Sequence, residues 1–332
     1  MEVFLMYDIT VIGGAILDIL ARPVSGQEPT GHSCSAEGIS MAVGGDAANE
    51  ATILARLGKK VNLITKFGND IAGRLLQSHF QENGVSIADS IVEDGLDTGI
   101  NIVLVDKDAE RSFITNKNGS LRRLALLDVS LEALKKSPVV SFASFFVSPL
   151  FDVPAMTSLF RAVKENGGIL CADTTRPKNG ETLEELRPAL GLIDYFFPNY
   201  AEAQAITGKN APEEIAQAFL DCGVSCVVIK LGREGCFLKT AQEAFLIPAY
   251  PHARCIDTTG AGDNFAAGFL YALSEGMAPV ECARFGNAAA SVTVESVGAC
   301  TGLRSLDQVL ERYRRMPPAV RQSPERCPTD RP

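Results

Sequence analysis

The sequence predicts an α/β protein in which a mostly parallel sheet is covered by helices on both faces. Three observations point there. Strand-like apolar runs alternate with helix-periodic runs for most of the 332 residues. Two glycine-rich turns lead directly into helical segments, and only the stretches 16–43 and 98–116 break the alternation. With 46% hydrophobic residues the chain can bury a substantial core, as one large domain or two of ordinary size.

Residues 9–12 form the first expected strand. The next regular segment is a helix from about Ala47, whose apolar positions Ala51, Ile53, Leu54 and Leu57 stop at Gly58. Strands are expected at 61–66, 139–142, 169–173, 195–198 and 227–231, with helices beginning near Ile71 and Val153. Residues 98–106 and 110–115 flank Lys107-Asp108-Ala109 and read as a hairpin. Two helical runs follow from Ala261, to Glu275 and then from Pro279 to about Glu295, and 306–313 suggests a last helix. The end of the chain, 317–332, holds five prolines in sixteen residues and is expected to be disordered.

A net charge of −9 argues against a nucleic-acid or anionic-membrane surface, so any phosphate must be held by local donors. Nine cysteines lack a Cys-x-x-Cys pair and fit reduced thiols in a cytoplasmic protein better than a disulfide framework. Only three histidines, in unrelated segments, argue against a zinc site. No signal peptide is expected, and the apolar stretch 139–150 is far short of the ~20 residues of a membrane span. Neither a P-loop nor a dinucleotide-binding Gly-x-Gly-x-x-Gly is present.

The most informative stretch is Asp257-Thr258-Thr259-Gly260-Ala261-Gly262-Asp263, a glycine-rich turn opening an apolar helix. First-turn N–H groups lack intrahelical partners and carry the positive end of the helix dipole, so such a junction binds anions. Asp263 beside a phosphate needs a task, such as accepting the proton of an attacking hydroxyl, although a carboxylate in a first turn also serves as an ordinary cap. At a helix N-terminus it is expected to stay ionised and to be a weak base. A second motif, Gly44-Gly45-Asp46-Ala47-Ala48-Asn49-Glu50-Ala51, opens another helix.

Together these two stretches resemble the signatures of the PfkB carbohydrate kinases, the ribokinase-like sugar and nucleoside kinases. Residues 13–18, Pro198-Asn199-Tyr200-Ala201-Glu202 and Lys230-Leu231-Gly232-Arg233-Glu234-Gly235 fall in that family's order, and the resemblance covers 1–316. It implies a three-layer α/β/α ribokinase-like fold, with 16–43 and 98–116 as a small β-sheet lid. It also implies a kinase that uses ATP and Mg²⁺ to phosphorylate an alcohol of a sugar or sugar acid. A nucleoside kinase of the same family, or a non-catalytic sensor on the fold, are the alternatives.

By resemblance, Asp263 is the base and Gly260, Ala261 and Gly262 form the anion hole. Asp18, Gly44, Gly45 and Asn49 match positions that hold sugar hydroxyls. Asn199 and Glu202 match an Asn-x-x-Glu that organises Mg²⁺ through water, a pattern that is equally a capping box. Lys230, Gly232, Gly235 and Asn287 match the nucleotide site, and Asp257 matches a K⁺ loop. Two departures disfavour ribose: Val147 where ribokinases have glutamate, and Ile16 where they have asparagine. Asp46 lies at the substrate end, and Arg176 and Lys178 stand where they can reach an acidic substituent; Arg111, Asn116 and Asn118 are further lid candidates. Alternating apolar residues on the lid strands predict a homodimer clasped through the lids.

Overall fold

The computed structural model describes residues 6–24, 35–105 and 111–322. The chain opens with β1 (Ile9–Gly13), then β2 (Ile16–Val24) and β3 (Ala36–Gly44), and enters α1 (Asp46–Arg56). It continues through β4 (Val61–Ile64), β5 (Lys66–Gly68), α2 (Ile71–Glu82), β6 (Ile91–Glu93), β7 (Ile100–Val105) and β8 (Arg111–Thr115). Next come α3 (Leu131–Leu134), β9 (Val139–Phe145), α4 (Val153–Glu165), β10 (Ile169–Thr174), α5 (Leu183–Leu190), β11 (Tyr195–Phe196), α6 (Tyr200–Thr207) and α7 (Pro212–Asp221). The rest comprises β12 (Cys226–Lys230), β13 (Cys236–Thr240), β14 (Ala244–Ile247), α8 (Ala261–Ser274), α9 (Pro279–Thr293), α10 (Leu306–Arg314) and β15 (Val320–Gln322).

The main sheet runs β15-β14-β13-β12-β11-β10-β9-β1-β4. From β12 to β4 every pairing is parallel, whereas β13, β14 and β15 extend it antiparallel. Successive residues of a strand face opposite sides, so each parallel strand feeds two cores. Cys226 and Val228 pack with α1, α8 and α9, while Val227 and Ile229 pack with α4, α5 and α7. Both faces are apolar because both are covered, which makes the three expected layers.

The segments that break the alternation form a second sheet, β3-β2-β7-β8, in which β2 and β7 run parallel and the outer pairings antiparallel. It is the expected lid. The strands β7 and β8 are the expected hairpin, whose turn at 107–109 lies outside the described residues. One face of the lid is uncovered in the monomer, with Ile39 71%, Met41 65% and Ile114 56% exposed.

Three local expectations need correction. The run 61–66 is two strands, because the chain leaves the main sheet after Ile64 and β5 pairs with β6 instead. The tail is not irregular from 317: Val320–Gln322 add an edge strand to β14, and 323–332 lie outside the described residues. The helices α5, α6 and α7 and the antiparallel strands β13 and β14 are additions to the expected elements; α7 carries a proline at its first position, a start signal open to view in the sequence.

Candidate active site

The carboxyl ends of parallel strands in an open α/β sheet leave a crevice that helix N-termini face. Here β9 ends near Ser144, β10 at Asp173 and Thr174, and β12 at Lys230, while α1, α6 and α8 begin nearby. A cavity of about 590 Å³ occupies this crevice, lined by Asp46, Ser144, Asp173, Glu202, Lys230 and Asp263 and extending to Tyr250, Asn287 and Val294.

The two glycine motifs, far apart in sequence, meet at its floor. Gly45 caps α1 with φ 93° and Gly260 caps α8 with φ 72°, left-handed conformations that L side chains avoid. A Cβ on Gly260 would fall 2.4 Å from that of Ala299. The two helices thereby start close together, and Asn49 Nδ2 donates to Asp263 Oδ2 at 2.7 Å. Asp263 does not stay in the ordinary carboxylate range. Burial and the charges of Asp46 and Asp173 push it up to about 8, against the opposing hydrogen bond of Asn49 and charge of Lys230. The expectation of an ionised, weak base is therefore overturned: the fold surrounds Asp263 with acids that its sequence neighbours do not reveal.

Lys230 is the cation of this cluster, its Nζ 2.5 Å from Asp173 Oδ2. Burial alone would lower its pKa, but Asp173, Glu202 and Asp263 outweigh that and keep it protonated. Burial and Asp173 raise Glu202 to about 7 against the pull of Lys230. Glu202 Oε2 accepts from the Asn199 N–H and Asn199 Oδ1 accepts from the Glu202 N–H, both at 2.9 Å. The capping box is thus formed, and both side chains also line the cavity.

The Ala261 N–H donates to Thr258 O at 3.1 Å, so in this state it is not directed at an anion. Gly262 lies against the Lys230 ammonium, 3.3 Å from where its Cβ would be. Asp257 Oδ1 accepts from Thr259 and Oδ2 from the Gly298 N–H at 2.9 Å, so it ties the 257–259 turn to the 298 turn. Among the described residues no group of three or more His, Cys, Asp or Glu is arranged to hold a metal ion. Asn287 lines the cavity, but its amide donates to Ile247 O and Pro248 O, holding the wall rather than facing inward. Gly232 and Gly235 line the same wall beside Lys230.

Asp18 sits on the lid strand β2, where Asn101 Nδ2 of the neighbouring β7 donates to its Oδ1 at 3.2 Å; burial and Asp46 raise its pKa, against that bond. A Cβ on Gly44 would fall 2.0 Å from Asp18 Oδ2, so any larger residue there would displace the Asp18 carboxylate. Asn116 serves the lid, accepting from Ile100 N–H and donating to Thr98 O. Arg176 is exposed, and the cavity lining stops one residue short of it, at Thr175. Three residues of this region escape a reading by motif. Ser144 donates to Asp46; Asn101 holds Asp18; and Glu50 is buried beside Asn49. Only Glu50 carries a signal in the sequence, its place in the motif 44–51 directly after Asn49.

Residues 6–306 match the pattern of the pfkB family carbohydrate kinases. An uncharacterized sugar kinase of Archaeoglobus fulgidus is 30% identical over 76% of this chain and 99% of its own length. The bifunctional ribokinase/ribose-5-phosphate isomerase A of Fructilactobacillus sanfranciscensis is 29% identical over 80% of this chain, which spans about half (49%) of that protein. Among solved structures, the Arabidopsis thaliana ribokinase complexed with ribose and ATP superposes with a TM-score of 0.81 at 27% identity, over 92% of this chain and 98% of the ribokinase.

Proposed function

Because this chain belongs to the PfkB family of carbohydrate kinases, phosphotransferases with an alcohol group as acceptor, we propose that it moves the γ-phosphoryl group of ATP to a hydroxyl of a sugar or sugar acid. The observation that carries this reading is the Asn49–Asp263 hydrogen bond at the cavity floor, which joins the substrate-side motif to the base. Asp263, once ionised, accepts the proton of the attacking hydroxyl; with its pKa near 8 it is a far stronger base than an ordinary aspartate. Asp18 and Asn49 hold the neighbouring hydroxyls, a carboxylate accepting and an amide doing both. Gly260, Gly262 and the first-turn amides of α8 offer donors to the transferred group, and the Ala261 N–H joins them if it leaves Thr258 O.

Lys230, Gly232 and Gly235 border the nucleotide, beside a wall steadied by Asn287. Mg²⁺, when bound, would neutralise the charge of the nucleotide phosphates. The donors fit that ion through water rather than as an all-protein cage, with Glu202 and Asn199 as its outer partners. For K⁺, Asp257 would act by shaping the loop it ties together, since both its oxygens already accept hydrogen bonds. A lid-to-lid homodimer and a reducing, cytoplasmic setting belong to the same reading. The exposed apolar lid residues support the first, and seven free thiols among the described residues the second.

ADP release over a panel of aldoses, ketoses, sugar acids and nucleosides tests it, with Asp263→Asn as control. Turnover of a sugar that collapses in the variant is expected. Best turnover of a nucleoside would move the protein to the rival branch, and none with any acceptor would make it a sensor.

A further inference from the structure

Resting on the kinase reading above, we infer that Cys300 is a positioning residue for the base, its thiol fixing the Asn49 amide in the orientation that donates to Asp263. Cys300 lies in the loop 294–305 between α9 and α10, far along the chain from Asn49. Its Sγ donates to Asn49 Oδ1 at 3.3 Å, and Asn49 Nδ2 donates to Asp263 Oδ2 at 2.7 Å, so the three side chains form one directed row.

An amide side chain can present either its donor or its acceptor end, and the partners it finds decide which. Among the described residues the Cys300 thiol is the one hydrogen-bond donor to Asn49 Oδ1. Burial pushes that thiol up to about 12, with the charge of Arg56 opposing and that of Asp263 adding, so it keeps its hydrogen at neutral pH. Turned half round, the amide would set Oδ1 against Asp263. That arrangement suits only the protonated acid, which would donate its proton to the amide and hold it there. The thiol disfavours it, because its hydrogen would lose the Oδ1 acceptor and its sulfur, a weak acceptor, would face the amide N–H groups. Cys300 thereby favours the ionised form of Asp263, the form that accepts the proton of the attacking hydroxyl.

The backbone that carries the thiol is held without it. Arg56 of α1 donates to the carbonyls of Cys300 and Leu303, and Asn264 of α8 donates to Ala299 O at 2.8 Å. The loop is clamped to both helices that open at the cavity floor, and removing Sγ leaves that clamp in place. Cys300 does not line the cavity, so its effect on the reaction passes through Asn49.

The test is the pH profile of kcat/KM for the best acceptor in the wild type, Cys300→Ala and Cys300→Ser. Asp46 and Glu50 from α1, Asp173 from β10 and Lys230 from β12 also act on Asp263, and all of them remain in every variant. Cys300→Ala should move the rising limb up by about 0.5–1 pH unit, with the KM for ATP unchanged. That lowers kcat/KM about three- to tenfold near pH ~6.5 and leaves it within about twofold above pH ~9.5. Cys300→Ser, which keeps a donor, should return the limb to its wild-type position. A limb that stays put in Cys300→Ala, a loss of the same size at every pH, or a serine variant no better than alanine overturns the proposal. NMR titration of the Asp263 carboxyl, identified by its absence from Asp263→Asn, reads the same midpoint without turnover. A midpoint raised in Cys300→Ala with no ADP release from any acceptor sinks the kinase reading alone, and a midpoint unchanged there sinks the role of Cys300.

Discussion

Replacing Glu50 with glutamine should change how stability depends on pH. Glu50 is 1% exposed on α1, and its Oε1 has no hydrogen-bond partner. Burial lifts its carboxyl from 4.5 to about 8; the Ser141 hydrogen bond opposes this, and the charges of Asp173, Asp263 and Asp46 add to it. A carboxyl whose folded pKa exceeds its unfolded one contributes stability that is fully present below pH 4.5 and lost as pH rises through about 8. At about 1.4 kcal/mol per pH unit, the rise from 4.5 to about 8 corresponds to about 5 kcal/mol once both states are ionised.

Glutamine keeps the shape and cannot ionise. The variant should therefore gain on the wild type as pH rises, by about 2.5 kcal/mol between pH 6 and pH 8.5. With ~2.1 cal/mol/K of unfolding entropy per residue, a chain of 332 residues would show this as a widening of about 3–4 °C in the Tm difference. Thermal melts of both proteins at the two pH values are the assay. A Tm difference that stays constant would show that Glu50 does not titrate in this window and that the core beneath the site is polar enough to keep it charged.

The chemistry has its own tests. Asp263→Asn should leave ATP binding within a few-fold and lower kcat by roughly two or more orders of magnitude, so near-normal single-turnover rates would remove Asp263 as the base. Asp18→Ala should raise the KM of the sugar far more than that of ATP, because Asp18 sits on the lid strand β2 and away from the nucleotide wall; equal effects would make it structural. With a base at about 8 beside a carboxyl at about 7, kcat/KM should climb with pH between roughly 6 and 8, the deprotonated form being active, and a flat profile down to pH 5 would refute the raised values. Light scattering should give about twice the 35.4 kDa chain mass, and Ile39→Lys with Met41→Glu should halve it; a monomer before substitution, or a dimer after it, rejects the lid interface.

The fold is legible wherever an element's signal is local. Short apolar runs mark the parallel strands, and Gly44-Gly45 and Gly260-Ala261-Gly262 mark the starts of α1 and α8. The lid can be read from the loss of helical period at 16–43 and 98–116, and β7 and β8 are where the hairpin is expected. The antiparallel extension β13-β14-β15 is not legible in this way, because short strands such as Val320–Gln322 have no pattern of their own and form only by pairing with an edge already built. The same distinction divides the site. Asn199 and Glu202 form a contact three residues long that spacing alone can suggest, whereas Asn101 meets Asp18 across 83 positions and Ser144 meets Asp46 across 98.

Asp263 shows why that distinction matters for chemistry. Its sequence neighbourhood offers a helix N-terminus, worth about 0.3–1 kcal/mol in favour of the charged form and up to ~2 when partly buried. The fold adds burial and brings in Asp46 from α1 and Asp173 from β10, and the resulting rise from 3.8 to about 8 is on the order of 6 kcal/mol the other way. Burial and the neighbouring acids therefore outweigh the helix dipole. A motif can thus name the residue and its place without disclosing its strength as a base, which is set by side chains from other strands and helices. Asn49 and Lys230 are the counterweights: the amide donates to Asp263 Oδ2, and the ammonium sets a positive charge against the surrounding acids. The cluster is poised between protonation states, so a ligand that brings positive charge into the cavity lowers the pKa of Asp263, and one that brings only negative charge raises it. Base strength in this site is therefore coupled to what occupies the rest of the cavity: a polyanionic nucleotide arriving with its neutralising cation leaves more of Asp263 ionised, and each carboxylate a weaker base, than the nucleotide alone would.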